Sequence, residues 1–211
     1  MDYSEKIVNI PADSVSLEGS LIIPENAASI VLFAHGSGSS RFSPRNNYVA
    51  NFLNEQGFAT LLFDLLTQKE DLEYSTRFDI DLLNERLQAA TRWVQINPLT
   101  VKYNIGYFGA STGAAAALMA AAKFGNIIKA VVSRGGRPDL ASSILTQVKS
   151  PTMLIVGGND KLVIDFNRFA FEKLQSEKEL SIVPGASHLF EEPGTLEEVA
   201  KLAAEWFKKY L

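Results

Sequence analysis

The chain has 211 residues, 46% hydrophobic and 21% charged, which suits one globular domain over residues 1–211 with a sizeable core. Its net charge of −4 and isoelectric point near 5.3 argue against the basic face that general nucleic-acid binding needs. With no cysteine and two histidines it has neither a disulfide framework nor thiol chemistry, and neither a metal site nor an organic cofactor is expected.

The opening Met1-Asp2-Tyr3-Ser4-Glu5-Lys6 carries acids and precedes no apolar run, so no secretory signal is expected. The most apolar stretch, Gly113 to Ala122, is too short to span a bilayer. A soluble, cytoplasmic protein without a membrane partner follows as the expectation. The pattern then alternates between strand-like and helix-like runs, which predicts a mainly parallel sheet with helices on both faces. Strands are predicted at Lys6–Ile10 and Val15–Ile23, an antiparallel pair, and at Ser29–Ala34, Ala59–Asp64, Asn104–Ala110, Ile127–Ser133, Thr152–Val156 and Glu179–Val183. Helices are predicted at Pro44–Gln56, Arg77–Ile96, Thr112–Phe124, Asp139–Gln147, Leu162–Gln175 and Thr195–Tyr210. Thr195 with Glu198 has the spacing of a capping box. Only Arg134–Pro138 joins the sixth strand to its helix, so no cap domain is expected there. The loops Gly36–Pro44 and Leu66–Thr76 are the candidate covers of the site.

Gly109-Ala110-Ser111-Thr112-Gly113 falls between a strand and an alanine-rich helix. This is the Gly-x-Ser-x-Gly elbow, where a sharp turn lifts a serine hydroxyl above the sheet edge and glycines avoid collisions on either side. A serine hydroxyl needs a base, and the base needs an anionic partner that fixes its tautomer. Asp160 follows the strand Thr152–Val156 in Gly157-Gly158-Asn159-Asp160. His188 follows the strand Glu179–Val183 in Pro184-Gly185-Ala186-Ser187-His188. All three residues therefore reach the carboxyl edge of the sheet, in the chain order Ser, Asp, His. The glycine-rich turn His35-Gly36-Ser37-Gly38-Ser39-Ser40 is like the one that gives the second oxyanion donor beside such an elbow, making the backbone N–H groups of Ser37 and Thr112 the expected pair. Competing readings are Ser111 as a helix cap, Asp160 as a turn residue with Asp165 as the acid, His188 as an ordinary loop histidine, and His35 as the base. Arg134 and Arg137 are candidate clamps for an acidic substrate group, or else brace a loop, with Asp139 as a candidate partner. Asp64 is expected to position a loop, and Trp93 and Trp206 to lie in the core.

With these residues placed, the chain resembles the α/β-hydrolase superfamily, and within it the small, capless dienelactone hydrolase-like branch. The resemblance runs from about Val15 to Leu211 and is strongest at Phe108 to Gly113, Gly157 to Asp160 and Gly185 to Phe190. Ser133-Arg134-Gly135-Gly136-Arg137-Pro138 also looks like hydrolases that occur beside or fused to phosphoribosyltransferase domains. Dienelactone hydrolases carry a cysteine at the elbow where this chain has Ser111, so the resemblance implies kinship and a serine esterase rather than that one substrate. The implied activity is hydrolysis of a small ester, lactone or thioester. An acyltransferase on the same scaffold and a non-catalytic ligand-binding protein are the alternatives. A nucleotide-binding module is disfavoured, because Gly36-Ser37-Gly38 lacks the dinucleotide spacing and no phosphate loop occurs. A homo-oligomer stays open, with exposed apolar residues on the last helix as its expected mark.

Overall fold

The computed structural model describes residues 5–211. The reading of residues 1–4 as part of a non-secretory start lies outside them. Eight strands form one sheet in the order β1-β2-β4-β3-β5-β6-β7-β8. β1 (Glu5–Ala12) pairs antiparallel with β2 (Val15–Ile22), which pairs antiparallel with β4 (Ala59–Phe63). From β4 the sheet is parallel through β3 (Ser29–Ala34), β5 (Asn104–Ala110), β6 (Ile128–Arg134), β7 (Thr152–Gly157) and β8 (Lys178–Val183). This is the mainly parallel sheet that the alternating pattern implies, in the α/β-hydrolase arrangement that the resemblance implies. The central strands are apolar without alternation because helices cover both faces; every residue of β3 and β7 is buried.

α1 (Pro44–Glu55) and α6 (Thr195–Tyr210) cover one face, burying Val49, Leu53, Val199, Ala203 and Phe207 against Phe33, Phe108 and Val132. α3 (Ile80–Ile96) and α4 (Thr112–Phe124) cover the other, with Leu83, Leu87, Ala90 and Val94 on the stripe the sequence shows. The run Ala114–Ala117 is wholly buried, which lets α4 lie close against its neighbours. α5 (Lys161–Lys173) closes the same face near β7 and β8. Trp206 is in the core; Trp93 is half-buried beside it. β3 connects to β4 on one side while β5 lies on its other side, so a topological switch point opens at the carboxyl ends of β3 and β5. No helix among the described residues is long and apolar enough to cross a membrane.

Three local expectations differ. Asp139–Gln147 is not an α-helix but two 3₁₀ turns, Pro138–Ala141 and Leu145–Gln147. Ser142, Ser143 and Thr146 are weak helix formers, and the backbone settles into successive three-residue hydrogen bonds such as Ser142 N–H to Asp139 O. The Leu66–Thr76 loop contains a short helix, α2 (Gln68–Asp71), held by a Thr67/Glu70 capping box, and α3 starts only at Ile80, capped by Asp79. The Thr195/Glu198 box does not form: Gly194 is the N-cap with φ +81°, and the Thr195 hydroxyl donates back to Glu192 O at 2.8 Å. A left-handed φ is open to glycine at little cost, so the chain enters α6 through Gly194 instead. Among the described residues α6 presents no exposed large apolar side chain.

Candidate active site

The elbow is built as its spacing requires. Ser111 has φ +51° and ψ −120°, a conformation that non-glycine residues rarely adopt. Its side chain makes no capping hydrogen bond to α4, which removes the helix-cap reading. The strained backbone is clamped on three sides. Ser111 N–H donates to Arg134 O at 3.2 Å, while Ser111 O accepts from Ala114 N–H at 3.1 Å and from Arg137 N–H at 3.0 Å. A Cβ on Gly113 would stand 2.2 Å from Ala34 O, and one on Gly109 2.5 Å from Ala114 Cα. Both obstacles are backbone and cannot swing away. Gly113→Ala is therefore expected to destabilise the fold by about 3 kcal/mol, read from urea unfolding. An unchanged midpoint would mean that α4 does not need to lie this close to β3.

Asp160 and His188 meet as expected: His188 Nδ1 lies 2.7 Å from Asp160 Oδ2. Asp160 occupies the N-cap position of α5 but makes no capping bond, so its carboxylate is free for the imidazole. Backbone bonds tie the two loops together, with Gly158 N–H to Val183 O at 2.8 Å and Asn159 N–H to Ala186 O at 2.9 Å. Glu192, which the sequence reading did not single out, accepts from Ser187 N–H at 3.0 Å and so braces the residue next to His188. That backbone donor holds the Glu192 carboxyl below its ordinary range. Asp165 is exposed, is paired with Arg168, and makes no hydrogen bond to His188 among the described residues.

His35 is not available as a base. It is buried, its Nε2 accepts from Leu65 N–H at 3.0 Å, and its Nδ1 lies 3.0 Å from Gly36 O. These two bonds fix a neutral imidazole that pins the glycine turn to the loop after β4. Burial lowers its pKa below the usual histidine value. The unfolded chain takes up this proton near pH 6.5 and the folded chain resists it. The contribution to stability is thus complete above about pH 6.5 and is lost as pH falls toward the lowered folded value. A slope of up to about 1.4 kcal/mol per pH unit is expected in that window. His35→Gln should lack this component; an identical pH–stability slope in the variant would place the titration elsewhere. Asp64 has the loop-positioning role expected of it, bonding Arg41 through both its carboxylate oxygens.

Ser111 and His188 line one cavity of about 260 Å³ at the switch point, together with Gly36, Ser37, Ser39, Ser43, Arg45, Asn46, Ala110, Arg134 and Leu189. No hydrogen bond joins Ser111 to His188 among the described residues. The His188 side chain is 38% exposed, and such bonds commonly tighten only with substrate bound. Ser37 also lines the cavity, yet its N–H donates to Thr112 Oγ1 at 2.9 Å. A substrate oxygen must displace that hydroxyl to receive this donor. Thr112 opens α4, where the first N–H groups have no partner within the helix.

The two candidate arginines separate. Arg134 lines the cavity and is 6% exposed. Arg137 grips Asp139 through two hydrogen bonds of 2.9 and 2.8 Å and lies over the Phe166 ring, the loop-bracing alternative. Arg45 and Asn46 escaped the sequence reading. They sit in the first turn of α1, and nothing in their spacing marks them as site residues.

The model of the dienelactone hydrolase family matches residues 17–211. A dienelactone hydrolase from Anabaena variabilis superposes with a TM-score of 0.97 at 58% identity, over 99% of each chain. Est1E of Butyrivibrio proteoclasticus, at 17% identity, shares the fold with a TM-score of 0.79, over 96% of this chain and 98% of that one. Two Mycobacterium tuberculosis proteins provisionally named phosphoribosyl transferases are 54% identical over 204 residues. That match takes in 97% of this chain but 46% of theirs, so the chain spans about half the length of these relatives. The similarity over residues 17–211, joined to the near-identical architecture of the Anabaena variabilis protein, places this chain in the dienelactone hydrolase family.

Proposed function

We propose that this chain is a serine hydrolase that cleaves a small ester, lactone or thioester, with Ser111 as nucleophile, His188 as base and Asp160 as orienting acid. The observation that carries the reading is the Asp160–His188 bond of 2.7 Å at the wall of a cavity shared with a strained Ser111. With Nδ1–H donated to Asp160, the other ring nitrogen is unprotonated and can take a proton. His188 removes the Ser111 proton as Oγ attacks the carbonyl carbon. The Thr112 and Ser37 N–H groups receive the oxyanion. The leaving alcohol takes the proton from His188, and water activated by the same ring releases the acyl group. The chemistry uses no metal or organic cofactor. The protein acts in the cytoplasm on a small molecule, without nucleic acid or membrane.

The phosphoribosyl transferase name belongs to proteins about twice as long and is not needed for this reading. Acyl transfer uses the same acyl-enzyme and differs only in what relieves it. The test is turnover of short p-nitrophenyl esters with added alcohols and amines. Free acid as the main product supports hydrolysis. Dominant transfer to an acceptor would turn the assignment to an acyltransferase, and absence of both would remove the enzyme reading.

A further inference from the structure

Arg134 is the last residue of β6, and its guanidinium makes no hydrogen bond or ion pair among the described residues. Its Nε is sealed from solvent without an acceptor, and the Phe190 ring lies 5.8 Å from the guanidinium carbon. A buried cation without a counter-charge is costly, and folds rarely keep one without a use for it. Burial, reinforced by the nearby charge of Arg45, lowers its pKa to about 10, so it stays cationic at neutral pH. Arg45 has only a rim contact with Glu191 at 3.3 Å, an exposed pair of little strength.

The position ties this charge to the chemistry. Arg134 pairs in register with Ala110, and its carbonyl accepts the Ser111 N–H. Its backbone therefore lies one strand spacing, about 4.8 Å, from the elbow. The same cavity wall holds Arg45, Ser39, Ser43 and Asn46. Two guanidinium groups with hydroxyl and amide donors exceed what the two oxygens of a carboxylate can accept. They match the three terminal oxygens and up to two negative charges of a phosphate.

We propose that Arg134 and Arg45 bind a phosphate group carried by the substrate, beside the carbonyl that Ser111 attacks. The phosphate is held and not transferred; the bond broken is the ester C–O bond. The inference rests on the ester-hydrolase reading, and the cavity volume of about 260 Å³ limits the substrate to a compact molecule.

Three umbelliferyl esters with acyl chains of equal length test this: one neutral, one ending in carboxylate, one ending in phosphate. The phosphate ester is expected to exceed the neutral one in kcat/KM by about 10- to 100-fold and to exceed the carboxylate ester as well. The ratio of phosphate to neutral ester should fall toward one in Arg134→Met, and partly in the rim variant Arg45→Gln, which keeps the test open if the buried variant fails to fold. Inorganic phosphate should bind Ser111→Ala in calorimetry and inhibit the native protein competitively. Phosphate binding without turnover of any ester would sink the hydrolase reading and leave the subsite. Ester turnover with no preference among the three would sink the subsite, and a carboxylate preference would overturn the choice of phosphate.

Discussion

Ser111→Ala is expected to lower kcat for short esters by at least about 10⁴-fold while leaving the protein folded. Loss of a nucleophile from a triad removes the whole covalent path, and what survives is the modest acceleration from oxyanion donors and binding. The variant keeps its structure because Ser111 contributes no capping bond and its hydroxyl faces the cavity. Its backbone strain remains, since alanine is no more at ease at φ +51° than serine. Ser111→Gly should be equally inactive but more stable than Ser111→Ala by about 1 kcal/mol, because glycine tolerates this conformation. On the proposed mechanism, strain at residue 111 is a stability cost tied to placing the nucleophile. Equal activity of native protein and Ser111→Ala would remove Ser111 from the chemistry. Equal stability of the two variants would mean that the turn is not strained.

Asp160→Asn is expected to lower kcat by about 10⁴-fold with little change in KM. In other serine triads the same exchange keeps the geometry but turns the imidazole to the wrong tautomer. Here the carboxylate that accepts from His188 Nδ1 would become an amide able to donate to it. The proton then moves to the other ring nitrogen, the one that must receive the Ser111 proton. The control is Asp165→Asn, which changes an exposed carboxylate paired with Arg168 and should leave the rate within about twofold. A large loss there, or none in Asp160→Asn, would reassign the acid.

Most of the candidate site was legible in the sequence because it is carried by local patterns. The elbow needs glycines two residues on either side of Ser111, and the collisions at Gly109 and Gly113 show why. Asp160 and His188 each follow an apolar run, so a parallel sheet must bring both to one edge. His35 stands where its strand runs into the glycine turn, and its two bonds pin that turn to the loop after β4. Other parts are set by tertiary geometry that no short pattern encodes. Arg45 and Asn46 enter the cavity because α1 packs with its first turn against the switch point. The Thr112 hydroxyl takes the Ser37 N–H because α4 begins beside the glycine turn. Local rules also lost to their rivals. Gly194 displaced the Thr195 capping box, and the run after Pro138 took 3₁₀ turns in place of the helix predicted at Asp139–Gln147.

Labelling with a fluorophosphonate, followed by mass mapping of the modified peptide, addresses the nucleophile most directly. The reagent forms a stable bond only with a hydroxyl activated by a neighbouring base in a working oxyanion site. Stoichiometric modification at Ser111, abolished in Ser111→Ala and strongly slowed in Asp160→Asn, is the expected result. Modification at another residue, or none under conditions that label a known serine esterase, would contradict the account.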